Sequence, residues 1–183
     1  LLRCVLVSGR EPQLFTNQYK IMNLQKGYGQ DSTDTNAAMK QLEKHIESFP
    51  VKLKQLSSAD LLNKPAPGKW SKKEILGHLI DSAINNLKRF TEIQFLSQPY
   101  KVISYDQVNL VIVNDYQNQP VDQLVDLWQA LNRQIVSVVR NIPTEKFNNP
   151  VDPQYENKEL KTLGWIICDY VAHMEHHFRQ VFP

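Results

Sequence analysis

The sequence is poor in cysteine, glycine and contiguous apolar residues, and each shortage removes a class of protein. Cys4 and Cys168 are its only cysteines, in a chain of 183 residues, and they form no framework or CxxC spacing. That argues against a disulfide scaffold and for a reducing compartment. No apolar run approaches the ~20 residues of a membrane span. The apolar opening from Leu1 to Val7 is broken by Arg3 and too short for a signal-peptide core. A soluble, cytoplasmic protein is expected, with no membrane partner. Six glycines disfavour a β-sandwich of tight turns and suit long helices. Charge of neither sign dominates: 21 basic against 19 acidic side chains leave a formal +2. The lysines are scattered and no run of five like charges occurs, so no nucleic-acid footprint is visible.

What remains is one domain's length of amphipathic sequence. The first ~20 residues lack periodicity. Residues 1–30 read as a poorly ordered N-terminal extension, with Met22 an alternative start, and residues 31–183 as the domain. Asp31 to Asp34 offer N-caps before Ala38, Leu42, Ile46 and Phe49, and Pro50 is expected to end or bend that helix. Ser58 to Asn63 reads as another helical turn, and Lys64 to Gly68 as a loop. Ser71 and Glu74 form a capping box that starts a helix expected to reach about Gln98. Val108 to Val113 has strand-like composition, but with no other strand candidate to pair with it is read as helix. Pro120 opens a helix with Val121, Leu124, Val125, Trp128, Leu131, Ile135 and Val138 at helical spacing. The last helix is expected over roughly residues 158–181. Four main helices without paired strands imply an all-α, up-down four-helix bundle.

Chemistry concentrates in two places. His173 and His177 are four residues apart, one turn on a helix, a spacing that lets two imidazoles grip one divalent ion. The apolar face of that helix (Leu163, Ile167, Val171, Met174, Phe178) is bordered by His177, with His173 slightly outside it, where a half-buried cleft ligand belongs. His45 and His176 read as bystanders. On the Ser71 helix, Glu74, His78, Asp81, Ser82, Asn85, Arg89 and Glu92 share one stripe. Either this is the solvent side of an amphipathic helix, or it lines a polar groove that turns His78 toward the last helix.

The run Trp70-Ser71, Glu74 to Ser82, Asn85 and Arg89-Phe90, followed far downstream by Asp169 to His173 and by His177, resembles the DinB superfamily. Within it, the chain is most similar to the branch of YfiT-like metal-dependent hydrolases. The likeness covers most of residues 30–181. Its strongest parts are the Pro67-Gly68-Lys69-Trp70-Ser71 entry, the histidine of the second helix and the terminal HxxxH. Tyr105-Asp106-Gln107 and Leu127-Trp128 also fit, while Leu110 departs from a position where relatives tend to carry Trp.

The resemblance implies a bundle binding one divalent ion, zinc or nickel, through His78, His173 and His177, with coordination left open for water, substrate or a low-molecular-weight thiol such as bacillithiol. Position then suggests supporting roles. Asp169, one turn before His173, would accept its other ring N–H or act as a base, and Asp81 and Asn85 would orient His78 or hold water. Arg89 would contact an anionic ligand or pair with Glu92, and Tyr170 would donate into the cleft or fill the core. The implied activity is metal-dependent hydrolysis or thiol transfer on a small molecule, in a homodimer. The alternative is a non-catalytic bundle with a structural or vestigial metal site.

Overall fold

The computed structural model describes Tyr28, residues 33–154 and residues 159–183. Tyr28 apart, the extension expected over residues 1–30 lies outside the described residues. Four long helices form the bundle: α1 (Thr35–Leu53), α3 (Lys72–Glu92), α5 (Val121–Arg140) and α6 (Leu163–Val181). Two short helices, α2 (Ser58–Leu62) and α4 (Gln107–Val113), sit in the connections. Helix starts follow their capping signals. Asp34 accepts the Ala37 N–H, Ser71 and Glu74 close a reciprocal capping box, and Thr162 accepts the Trp165 N–H. Each such side chain satisfies a backbone donor that the first helical turn leaves open.

Two long helices run each way. The head of α6 at Gly164 lies against Thr35 of α1, and Phe178 stacks on Phe49 at 4.1 Å, so these two helices are parallel. Helix α3 opposes α6, since His78 meets His177 at 4.7 Å between ring centroids while Phe90 meets Tyr170 at 5.9 Å. Helix α5 opposes α1, with Gln129 bonded to Ile46 and Arg140 paired to Glu43. Both α1 and α3 pack against α5 and α6. The core between them holds Leu42, Phe49, Leu76, Leu79, Ile80, Trp128, Ile135 and Ile167, all fully or almost fully buried. Each such aliphatic side chain contributes about 1.5–3 kcal/mol by leaving water.

Four expectations about the elements change. Pro50 neither ends nor breaks α1, which continues to Leu53. Proline removes the N–H that would bond the Ile46 carbonyl, and Gln129 Nε2 supplies the missing donor at 2.9 Å. Regular α3 stops at Glu92, short of Gln98, and hydrogen-bonded turns carry the chain to Leu96. There Asn149 Nδ2 takes the Ile93 carbonyl. Paired strands do occur: Tyr100–Lys101, Pro150–Asp152 and Lys161–Thr162 form a small sheet, parallel between the first two and antiparallel between the last two. The last of these occupies residues assigned to the final helix, so α6 begins only at Leu163. Val108 to Val113 is helical, as expected, within α4.

Candidate metal centre

The polar stripe of α3 is not a solvent face. His78, Asp81 and Ser82 are 0%, 3% and 1% exposed, against 48% for Ile84 on the outer side. Because α3 and α6 run antiparallel, the buried stripe faces the HxxxH of α6. His78 Nε2 and His177 Nε2 each lie 3.1 Å from His173 Nε2. Ligand atoms of the three rings all fall within 4.8 Å of one another, and no other histidine, cysteine or carboxylate among the described residues joins them. Histidine bonds of ~2.0–2.1 Å to a tetrahedral ion would set neighbouring donors about 3.3 Å apart. The observed spacing suits that geometry.

Protonation points the same way. Burial, followed by the field of His177, pushes the His78 pKa down to about 3. Burial pushes His177 down to about 4 and His173 well below its ordinary value. All three are neutral at pH 7, the form that ligates metals. His177 Nδ1 faces Gln180 Oε1 at 3.0 Å, an acceptor, so its proton sits on Nδ1 and its Nε2 presents a lone pair. His173 Nε2 carries at most one proton for its two neighbours. One of the two 3.1 Å contacts is therefore left without a good hydrogen bond, whereas a cation answers all three lone pairs at once.

The surroundings orient the ligands. Ser82 Oγ lies 3.4 Å from His173 Nδ1, and Asn86 Nδ2 holds Ser82 through its carbonyl at 2.9 Å. The Trp70 ring sits 4.9 Å from the His78 ring, on one side of the triad. Tyr28 covers another side, with its ring 4.8 Å from His173 and its N–H donated to Asp169 Oδ1 at 2.7 Å. Asp81 Oδ1 accepts from Tyr116 Oη at 2.6 Å and Asn114 Nδ2 at 3.0 Å. Tyr116 reaches it across the bare Cα of Gly77, where a Cβ would stand 2.1 Å from the ring. His78 Nδ1 and Asp81 Oδ2 have no hydrogen-bond partner among the described residues. They belong to residues three apart on one helix.

The supporting residues expected from sequence are placed differently. The partner of His173 Nδ1 is Ser82, while Asp169 spends an oxygen on Tyr28. Burial raises the Asp169 pKa, as it does for Asp81. Asn85 donates to the Asp81 carbonyl, and His78 gains no partner from it. Tyr170 is a core residue, its hydroxyl bonded to Asn132 Oδ1 at 2.6 Å. Arg89 does not pair with Glu92, which takes Lys88 and Tyr100 instead. His45 is no idle bystander, since it pairs with Glu175 at 3.0 Å, though away from the triad. Tyr28 escaped sequence reasoning because its segment carries no periodicity or motif. Tyr116 did have a signal, a glycine inside a helix that lacked a stated reason.

Three inward histidines on antiparallel helices of a four-helix bundle form a cluster that could hold a metal ion. Residues 41–181 match the model of the DinB superfamily, and the chain belongs to that superfamily. It is 22% identical over 148 residues to a protein of Oceanobacillus iheyensis named "Putative metal-dependent hydrolase OB0413", covering 81% of this chain and 83% of that one. It is 24% identical over 140 residues to "Putative metal-dependent hydrolase YfiT" of Bacillus subtilis, covering 74% and 78%. The solved structure of that Bacillus subtilis protein, described as having "an unusual four-helix bundle topology", superposes with a TM-score of 0.72 over 84% of this chain and 86% of that one, at 19% identity. A mycothiol-dependent maleylpyruvate isomerase shares the fold with a TM-score of 0.59 at 10% identity, over 79% of this chain and 59% of its own.

Proposed function

We propose that the protein is a divalent-metal-dependent enzyme that hydrolyses a small molecule or transfers a thiol to it, with His78, His173 and His177 as the metal ligands. The observation that carries this reading is the convergence of three buried, neutral Nε2 atoms with no fourth protein donor among the described residues. When bound, the ion supplies Lewis acidity and acidifies a water or thiol sharing its shell. The chain's own residues do the rest. Ser82 and Gln180 fix the ring orientations of His173 and His177 through their Nδ1 atoms. Trp70 and Tyr28 exclude water from two sides. Asp169, half-buried beside Tyr28, with its pKa raised by desolvation, is the carboxylate suited to hold or move a proton at the edge of the site.

The thiol branch draws support from the mycothiol-dependent neighbour's fold, and the hydrolytic branch from the names of the sequence relatives. Cys168 is not assigned as the nucleophile in either, because its side chain is buried and burial pushes its thiol up to about 11. The deciding experiment is metal analysis of protein purified without a histidine tag, beside His78→Ala and His173→Ala, followed by assay against esters, amides and electrophile–thiol conjugates. One ion per chain in the wild type, lost in both variants together with turnover, is expected. Equal, negligible metal in all three would remove the basis of the proposal, and metal-dependent stability without turnover would favour a structural site. A cytoplasmic homodimer belongs to the same reading, and a single sedimenting species of monomer mass would refute the dimer.

A further inference from the structure

Near the histidine triad, Arg89 carries a charge that no acidic side chain among the described residues answers. It is half-buried on α3, and its partners are neutral. One Nη donates to the Ile103 carbonyl at 3.0 Å and the other to Asn86 Oδ1 at 3.5 Å. The Tyr105 ring lies 5.7 Å from the guanidinium. No carboxylate among the described residues comes within ion-pair distance of it. Glu92, one turn on, is occupied by Lys88 at 2.9 Å and by the Tyr100 hydroxyl at 2.7 Å. A guanidinium stays charged at neutral pH, so this is a permanent cation, partly withdrawn from water, without a counter-ion among the described residues. Such an arrangement costs free energy unless an anion completes it.

Arg89 is also wired to the triad. Asn86, which accepts from Arg89, donates to Ser82 Oγ at 3.3 Å, and Ser82 Oγ in turn meets His173 Nδ1 at 3.4 Å. The three residues climb one side of α3 from the metal ligands to the guanidinium. From Ser82 to Arg89 the helix rises about 10 Å, and the arginine side chain leans back toward the helix N-terminus, that is, toward the histidines. Tyr105 spans the gap, close enough to Arg89, Ser82 and Asp81 for each to act on its ionisation.

We propose that Arg89, held by the Asn86 side chain and flanked by the Tyr105 ring, is a carboxylate-binding subsite, and that the natural ligand is a small two-ended molecule. One end reaches the histidine triad and the other presents a carboxylate to the guanidinium, at a distance of up to about 10 Å set by the helix rise. The inference rests on the proposed metal site. The planar fork of arginine matches a carboxylate in two parallel hydrogen bonds, and the neutral partners of Arg89 leave its charge free for one.

The test uses full-length protein loaded with cobalt(II), whose near-ultraviolet absorption reports a thiolate entering the metal's open position. Mercaptohexanoate and mercaptohexanol, equal in length and differing only in the terminal carboxylate, are titrated against wild type, Arg89→Gln and Arg89→Lys. Wild type is expected to bind the acid at least about tenfold tighter than the alcohol. Arg89→Gln should erase the difference without weakening the alcohol, and Arg89→Lys should restore part of it. Equal binding of the two thiols by wild type overturns the subsite and leaves the metal proposal standing. A cobalt spectrum that neither thiol perturbs overturns the open position, and this inference with it. Loss of mercaptohexanol binding in both variants also overturns the inference, because Arg89 would then be supporting the triad itself.

Discussion

Acid should destabilise the metal-free protein far more than its net charge suggests. Each triad histidine has a folded pKa below its unfolded value of 6.5. Between those two values the unfolded chain binds protons that the folded chain refuses, so stability is complete above the unfolded pKa and falls as pH drops beneath it. One pH unit below 6.5 each histidine costs about 1.4 kcal/mol, and the three together about 4 kcal/mol. That is a large share of the ~5–15 kcal/mol that holds a domain folded. Asp81 and Asp169 act with the opposite sign, since their raised folded pKa values favour the folded state as pH falls toward the carboxylate range. Whatever part of their titration falls inside the window offsets part of the histidine cost.

Urea unfolding of chelator-treated protein, compared at about pH 7.5 and about pH 5.5, reads the difference. With a slope near 2 kcal/mol/M, the midpoint should fall by roughly 2 M. His78→Gln should lose about a third of that pH response, because glutamine does not titrate. An unchanged midpoint over this range would refute the reasoning. An undiminished response in both His78→Gln and His173→Gln would move the acid sensitivity elsewhere.

Metal should add stability of its own at neutral pH: at a free concentration about a hundredfold above its dissociation constant it should add about 2.7 kcal/mol, read as a raised melting temperature that EDTA abolishes. Gly77→Ala should cost at least about 1–3 kcal/mol in urea unfolding, since its Cβ would stand 2.1 Å from Tyr116 Cδ2; a neutral substitution would mean the ring moves freely. Gln129→Ala should cost about 1–3 kcal/mol by stranding the Ile46 carbonyl. In a Pro50→Ala background that cost should shrink, because alanine restores the N–H that bonds the same carbonyl; equal costs in both backgrounds would sink this account.

Where sequence reasoning succeeded, local chemistry decided the outcome. The Ser71–Glu74 capping box and the period of α5 depend on residues within a turn or two, and both read correctly. Where it failed, a distant residue overruled the local rule. Pro50 reads as a helix stop until Gln129, on another helix, supplies the missing donor. The final helix loses its first residues to a strand whose partner is Pro150–Asp152, earlier in the chain. These strands, two or three residues long, are too short to show an alternating pattern.

The site divides along the same line. The spacing of His173 and His177 follows from helix geometry, so their partnership was legible. The burial of His78 was not, because a polar stripe on an amphipathic helix looks alike whether it faces water or a second polar surface. What separates the two is the outer face: Ile84 at 48% exposure shows α3 turning apolar residues toward solvent to keep His78, Asp81 and Ser82 inside. A helix that buries its polar residues against another helix's histidines and exposes an isoleucine gives up transfer free energy in both places. Such a preference is expected where a site, and not the core, dictates the helix orientation. Ile84→Lys should therefore be tolerated within about 0.5 kcal/mol. Asp81→Leu, which improves burial on paper, should destabilise the fold by stranding the hydroxyl of Tyr116 and the amide of Asn114. Measured stabilities in the reverse order would show that the stripe faces water after all.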